Sequence, residues 1–270
     1  MNDFLEEKYI KLQEILRNYG RLAIAFSGGV DSSFLVVVAK RTLGRDFLAI
    51  FMDIHSVPLL EKEEAEEFCE RFEIPRIVLK YDELSIPGFA ENPPDRCYIC
   101  KKSLFTEIMK RAKEEGFDIV AEGSNADDVG DYRPGMKALS ELGVKSPLTE
   151  AGLTKEEIRI LSKELGLPTW DKPSKACLSS RFVYGERITE EKLRMVEIAE
   201  VYLQTLGIEQ LRVRIHGENL ARIEVEQKDF EIVLENKKKI ISEFKKIGFL
   251  YVTLDLKGFR SGSMNEVLKK

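Results

Sequence analysis

An α/β fold, a doubly wound parallel sheet followed by a smaller α+β domain, is what three features of this sequence predict. Short apolar runs alternate with amphipathic helical stretches over the first two thirds of the chain, the grammar of a buried parallel sheet. The first such run passes directly into a turn rich in glycine and serine, as a strand does when it feeds a helix around a ligand. From about Ile188 the runs change to strict alternation of apolar and polar residues, which marks strands solvated on one face. The boundary is expected near 185, giving domains 1–185 and 186–270. A chain of 270 residues, 43% of them hydrophobic, has the length and apolar content for both.

Met1 to Asn18 reads as an amphipathic helix with Phe4, Leu5, Leu12, Ile15 and Leu16 as its apolar positions. It mixes acids and bases, with no basic stub and apolar core, so no export signal is read and a cytoplasmic location is expected. Leu22 to Phe26 is the first buried strand, Ser32 to Leu43 the helix after it and Phe47 to Met52 the second strand. A helix with Ala65, Phe68, Cys69 and Phe72 on one face leads to a third strand, Arg76 to Leu79, and such alternation implies right-handed crossovers. Tyr81 to Asp95 contains Pro87, Gly88, Pro93 and Pro94 and reads as a long functional loop. A helix from about Ile99 to Glu115 precedes a fourth strand, Asp118 to Ala121, which ends in Glu122-Gly123-Ser124-Asn125-Ala126-Asp127-Asp128. Thr154 and Glu157 form the signature of a capping box, opening a helix that stops at Gly166 and Pro168. Trp170 to Arg181 is irregular. Beyond it come a helix, Glu190 to Leu206, alternating strands at Leu211–His216 and Ala221–Glu226, a Lys/Glu-rich helix, and a strand from Leu250 to Leu256, read together as an antiparallel unit.

Composition removes several functional classes. The mean hydropathy is −0.23 and no apolar run approaches the roughly 20 residues of a membrane span, so no membrane partner is expected. Forty-two basic against 47 acidic residues give a net charge of −5, which argues against wholesale nucleic-acid binding. The two histidines, His55 and His216, match no HExxH or zinc-finger spacing. Four cysteines are too few for a disulfide scaffold, leaving free thiols, metal ligands or redox chemistry.

Chemistry concentrates in two places. In Ser27-Gly28-Gly29-Val30-Asp31-Ser32-Ser33, a strand turns into a helix, so backbone N–H groups and the positive end of the helix dipole converge on one small volume. An anion suits that volume: the glycines let a phosphate approach the backbone and the serine hydroxyls add donors. No GxxxxGK[ST] lysine and no GxGxxG pattern accompany the loop. The second place is the cysteines. Cys69 shares an apolar helical face and reads as inert, whereas Cys97 and Cys100 form a CxxC after the proline loop and Cys177 lies in the later irregular stretch. Zinc bound by the CxxC, and a [4Fe-4S] cluster on three thiolates with one iron open, both satisfy this arrangement.

SGGVDS resembles the pyrophosphatase-loop motif of the ATP pyrophosphatase superfamily, whose members cleave ATP between the α and β phosphates. The segments SGGVDSSFL, NPPDRCYICKKSLF, EGSNADDVGDYRPGMKAL, TKEEIRILSKELGLPTWDKPSKACLSSRFVYGERIT and RVRIHG resemble the LarE family of sulfur transferases, which act in biosynthesis of the nickel-pincer nucleotide. That resemblance implies a pyrophosphatase-loop domain of adenine nucleotide alpha hydrolase type over 1–185, and a substrate-binding or oligomerisation domain over 186–270. It also implies adenylation of a carboxylate of pyridinium-3,5-biscarboxylic acid mononucleotide by Mg-ATP, attack by sulfur and release of AMP. One branch of the family sacrifices a cysteine at the position of Cys177, leaving dehydroalanine. The other holds a [4Fe-4S] cluster on three cysteines, and Cys97 and Cys100 beside Cys177 favour it.

The same resemblance implies that ATP and pyrophosphate are bound by Ser27, Gly28, Gly29, Val30, Asp31, Ser32, Ser33, Lys101 and Asp127. Asp31 and Asp128 are then the Mg²⁺ ligands; capping and turn formation are the alternative roles for these aspartates. Ser180, Arg181, Arg212, Arg214, Glu224 and Arg260 are the substrate-side candidates, with Arg133 a weaker phosphate candidate. Arg212 and Arg214 share one face of a strand about 7 Å apart, suited to gripping one phosphate; pairing with Glu224 or Glu226 on the next strand is the alternative. A homo-oligomer is implied, with a small nucleotide as substrate. The rival functions are a tRNA thiolation enzyme, an ammonia-using synthetase, and a regulatory nucleotide binder with structural zinc.

Overall fold

A computed structural model describes residues 3–128, 134–173, 176–260 and 262–268. It divides into two compact units, one formed by Met1–Glu83 with Cys97–Lys175 and the other by Leu84–Arg96 with Ala176–Lys270. The second unit starts earlier than the expected 185, because Phe182 bridges to Ile215 and Arg181 pairs with Glu200 inside it. No helix among the described residues is long and apolar enough to cross a membrane.

The first unit runs α1 (Asp3–Tyr19), β1 (Leu22–Phe26), α2 (Val30–Leu43), β2 (Phe47–Asp53), α3 (Leu59–Arg71), β3 (Arg76–Lys80), α4 (Arg96–Glu114), β4 (Ile119–Ala121), α5 (Pro134–Leu142), α6 (Pro147–Glu150) and α7 (Lys155–Glu164). Its strands form a parallel sheet in the order β3-β2-β1-β4, with Leu22 opposite Phe47 on one side and Ile119 on the other. Alternate residues of β1 and β2 enter two separate cores. Leu22, Ile24, Phe47 and Phe51 pack with α1, α2, α3 and α7, while Ala23, Leu48 and Ile50 pack with α4 and α5. Burial on both faces is why these strands are continuous apolar runs. Phe4, one of the apolar positions of this helix, is 61% exposed, since the buried stripe of α1 begins at Leu5.

In the second unit α8 (Glu190–Thr205) precedes β5 (Leu211–His216), β6 (Leu220–Val225), α9 (Phe230–Glu235), α10 (Lys237–Ile247) and β7 (Tyr251–Leu254). The sheet order is β5-β6-β7, with β5 and β6 antiparallel, and α8 packs on β5. The expected wholly antiparallel sheet is corrected: β6 and β7 are parallel. The cause is the two-helix connection, which carries the chain back to start β7 from the end where β6 starts.

Candidate functional site

In a sheet of order β3-β2-β1-β4 the connections leave β1 in opposite directions, so a crevice opens beyond the carboxyl ends of β1 and β4. The glycine-serine turn follows β1, and Glu122 to Asp128 follow β4. They approach closely: a Cβ on Gly123 would stand 3.0 Å from the Ser32 backbone nitrogen. Gly28 has φ +71°, the left-handed conformation that glycine adopts without strain, and Gly29 begins α2 with no side-chain cap. The first-turn N–H groups of a 14-residue helix therefore face this crevice without a capping side chain. Ser32 braces the turn, accepting from the Ser27 N–H at 3.2 Å and donating to the Gly29 carbonyl at 3.3 Å, while the buried Ser33 hydroxyl has no partner among the described residues.

Asp31, on the first turn of α2, accepts a 2.6 Å bond from Lys155 Nζ through Oδ2, its Oδ1 is buried, and the Asn125 side chain also acts on this carboxylate as a hydrogen-bond donor. Burial pushes this carboxyl above its ordinary range, while Lys155 pulls it down. Asp127 Oδ2 accepts from the Lys155 backbone N–H at 2.8 Å, and Asp128 Oδ2 from the Asn125 N–H at 3.0 Å. Asp127 and Asp128 thus each spend one oxygen on the capping or turn role, as Asp31 spends one on Lys155. Lys101 lies on α4, its stem packed where a Gly135 Cβ would stand 2.7 Å away, and Arg133 lies outside the described residues.

The cysteines divide as their surroundings dictate. Cys69 is 1% exposed in the core with its thiol pushed up to about 11 by burial, whereas Cys97 and Cys177 are exposed and Cys100 is half-buried. Cys97 and Cys100 lie in the opening turns of α4, which begins at Arg96, three residues before the expected Ile99, so that Cys97 is helical as well as Cys100. Their spacing of three places both on one helical face. Within the second unit, the loop leading to Arg96 is tied to the segment that follows Cys177. Asn92, buried with φ +55°, donates to the Val183 carbonyl at 2.6 Å and accepts from the Gly185 N–H and from Arg96, and Ile188 N–H bonds to Ala90. Native-state alkylation at pH 8 is expected to label Cys97, Cys100 and Cys177 within minutes and Cys69 only on unfolding; peptide mass mapping reads this directly.

Cys177 precedes the short 3₁₀ turn Leu178–Arg181. Arg181, 2% exposed, donates to the Ala176 and Cys177 carbonyls and grips Glu200 with two bonds at 2.9 and 2.8 Å, so it positions this turn. Arg214 is likewise committed, to Glu224 at 2.9 and 3.0 Å and to the Ser180 carbonyl at 2.9 Å. The expected pair of arginines open to one phosphate therefore reduces to Arg212. No carboxylate of the described residues pairs with it; it stacks 5.2 Å over Phe259, and burial together with neighbouring Arg181 pushes it down to about 10. Arg260 is held by Asp255 and Glu266.

Three contributors escape a reading by motif. Lys155 reaches Asp31 across 124 positions, Lys172 bonds the Gly28 carbonyl at 3.1 Å and Glu64 at 2.7 Å, and Glu83 holds the turn after β2 through the N–H groups of His55 and Ser56. In the sequence both lysines lie inside the TKEEIRILSKELGLPTWDKPSK run, where nothing local assigns either a role.

No protein-family model matches the chain. An uncharacterised protein of Synechocystis sp. (strain PCC 6803) is 42% identical over 268 residues, covering 98% of this chain and all of the relative. The pyridinium-3,5-bisthiocarboxylic acid mononucleotide synthase of Lactiplantibacillus plantarum is 37% identical over 267 residues, covering 98% of this chain and 96% of the relative. A glutamine-hydrolysing GMP synthase of Bacillus cytotoxicus is 29% identical over 227 residues, covering 76% of this chain and 43% of the relative. With the loop after β1, the doubly wound sheet and these likenesses together, the chain belongs to the LarE family of the ATP pyrophosphatase superfamily.

Proposed function

We propose that this protein is an ATP-dependent sulfur transferase that converts the carboxylates of pyridinium-3,5-biscarboxylic acid mononucleotide to thiocarboxylates. ATP sits with its phosphates on the uncapped start of α2, where Gly28 and Gly29 admit them to the backbone and N–H donors stabilise charge as it develops. Mg²⁺ fits the buried carboxylate of Asp31 on the first turn of α2, with Asp128 close enough to act on it electrostatically. A substrate carboxylate oxygen attacks the α-phosphorus and the α–β bond breaks, releasing pyrophosphate. Sulfur then attacks the acyl carbon and AMP leaves with the bridging oxygen. Arg212 is the substrate-side residue whose charge is left for a nucleotide phosphate, and Arg181 and Arg214 set the backbone around Cys177 and Ser180.

In this reading Cys97, Cys100 and Cys177 hold a [4Fe-4S] cluster: Cys97 and Cys177 are exposed and Cys100 is half-buried, whereas Cys69 is excluded by burial. When bound, such a cluster supplies exchangeable sulfide at an iron that lacks a protein ligand. The observation that carries the sulfur-transfer reading is the tie between the segment entering Cys97 and the segment leaving Cys177, joined by Asn92 inside one unit.

Anaerobic reconstitution with iron and sulfide tests it, followed by metal and sulfide analysis of wild type, Cys97→Ala, Cys100→Ala and Cys177→Ala. Wild type is expected to hold about four irons and each variant to lose both cluster and thiocarboxylate formation. Activity lost only in Cys177→Ala, with Cys177 converted to dehydroalanine on turnover, would replace the cluster by the sacrificial route. Stoichiometric zinc, no iron and no pyrophosphate release would overturn the enzyme reading.

A further inference from the structure

Arg214 does not meet Glu224 as a two-oxygen fork. Its Nε and Nη2 both donate to one oxygen, Oε2, at 3.0 and 2.9 Å, while the other oxygen, Oε1, accepts from Arg222 at 2.9 Å. A guanidinium held by both oxygens of a carboxylate is fixed in direction, whereas one held on a single oxygen can swing about it. A second hold comes from far along the chain. Ser263 Oγ accepts from Arg214 Nη2 at 3.0 Å and donates into the Glu224 carboxylate, 2.9 Å from Oε1 and 3.1 Å from Oε2. One hydroxyl thus ties both members of the pair together and stops the swing.

We propose that Ser263 is a positioning residue for Cys177: through Arg214 it fixes the Ser180 carbonyl, and with it the turn that carries the thiol. The proposal rests on the sulfur-transfer reading above for what Cys177 does. Arg214 Nη1 donates to the Ser180 carbonyl at 2.9 Å, and the Ser180 N–H bonds the Cys177 carbonyl at 3.0 Å, so an unbroken series of hydrogen bonds runs from Ser263 to Cys177 inside the second unit. Arg181 holds the carbonyls of Ala176 and Cys177 at one end of the turn, and Arg214 holds its other end at Ser180. The chain that delivers Ser263 is itself anchored beside β6. The Phe259 N–H bonds the Val225 carbonyl at 2.8 Å, and Gly258 has φ +71° where a Cβ would stand 2.8 Å from that same carbonyl. Ser263 opens the 3₁₀ stretch Ser263–Leu268 and is 6% exposed, whereas Gly262, Asn265 and Glu266 are exposed. An apolar side chain seated there would gain more from burial, and a hydroxyl is costly to bury unless it is bonded, so the contact with the ion pair is what this residue type supplies. The same stretch reaches the other cysteine segment. Asn265 accepts from the Tyr184 hydroxyl at 2.9 Å, and the guanidinium of Arg96, the residue before Cys97, lies 5.8 Å from the centre of the Tyr184 ring.

Hydrogen exchange of the resting protein, read by mass spectrometry on peptides spanning 176–183, tests this with Ser263→Ala and Ser263→Thr. Ser263→Ala is expected to exchange about tenfold faster there, the effect of losing one hydrogen bond to a charged group, while peptides of α8 and α10 keep their wild-type rates. Ser263→Thr retains the hydroxyl and is expected to stay near wild type. In turnover, Ser263→Ala is expected to lose about tenfold in kcat for thiocarboxylate formation with KM for Mg-ATP unchanged, because the glycine-serine turn belongs to the first unit. Wild-type exchange over 176–183 in Ser263→Ala overturns the proposal. So does a rise shared by α8 and α10, which would make Ser263 a residue of general stability, and so does a threonine variant as fast as the alanine one. Faster exchange over 176–183 with unchanged kcat overturns it as well. The exchange measurement needs no substrate: a wild type that forms no thiocarboxylate sinks the sulfur-transfer reading, while localised exchange in Ser263→Ala still upholds the hold of Ser263 on the turn.

Discussion

Gly28→Ala is expected to weaken Mg-ATP binding by at least about a hundredfold, equivalent to about 2.7 kcal/mol. Two penalties act on this one methyl group. At φ +71° an L-residue with a Cβ is strained by about 1–2 kcal/mol. The new Cβ would also stand 2.9 Å from Ala65 Cβ and 3.4 Å from Ala65 Cα, in a core where Ala65 is 2% exposed, so the contact is relieved only by moving α3 or the turn. Overpacking of this kind costs a further 1–3 kcal/mol or so. The turn is the softer element, and once it relaxes its N–H groups cease to converge on one phosphate. Gly29→Ala is the control: Gly29 has φ −80°, and its Cβ would meet only Ser27 Oγ at 3.5 Å, so the fold is expected to keep its melting temperature. Titration calorimetry and thermal melts of both variants decide the matter. Wild-type ATP affinity in a folded Gly28→Ala protein would remove the turn from the phosphate site.

What the sequence discloses about this molecule follows the range of the interactions involved. Leu22 to Phe26 is legible as a strand to the residue because an apolar run sits between Gly20 and Ser27, and local burial alone defines it. Both bonds of the Thr154/Glu157 capping box form because they join positions three apart. The apolar face holding Ala65, Phe68 and Cys69 is equally local, and it correctly separates the inert thiol from the others. The start of α4 is less legible: Pro93 and Pro94 disguise a helix that begins at Arg96 and carries both cysteines of the CxxC. Hidden altogether are features decided by distant chain. The direction of β7 depends on the α9 and α10 connection, and the partner of Arg214 depends on the β5–β6 register, which sets Arg214 opposite Arg222 while its guanidinium reaches Glu224. Lys155 falls in the same class, since its ion pair with Asp31 exists only once α2 and α7 are brought together.

Removing the carboxylate at the centre of the second unit, by Glu224→Ala, is expected to destabilise the protein by about 3–5 kcal/mol. Glu224 is fully buried, and its two oxygens accept from Arg214, Arg222 and Ser263 at 2.9–3.0 Å. Without it Arg214, itself 5% exposed, becomes a buried charge that keeps hydrogen bonds only to neutral groups, the Ser180 carbonyl and Ser263, among the described residues. Glu224→Gln keeps an acceptor but not the charge, and is expected to fall between wild type and alanine. Arg212→Ala provides the contrast on the same strand. It removes a half-buried guanidinium with no carboxylate partner among the described residues, so the expected loss of stability is within about 1 kcal/mol while affinity for the nucleotide substrate falls about tenfold or more. Urea unfolding followed by circular dichroism measures the first quantity, and titration of the substrate mononucleotide measures the second. A Glu224→Ala protein within about 1 kcal/mol of wild type would mean that Arg214 finds another anion, and Arg214 would then rejoin Arg212 as a phosphate ligand. The two arginines are thus separable by which variable moves: stability for the one that shapes the turn after Cys177, affinity for the one whose charge is left for a ligand.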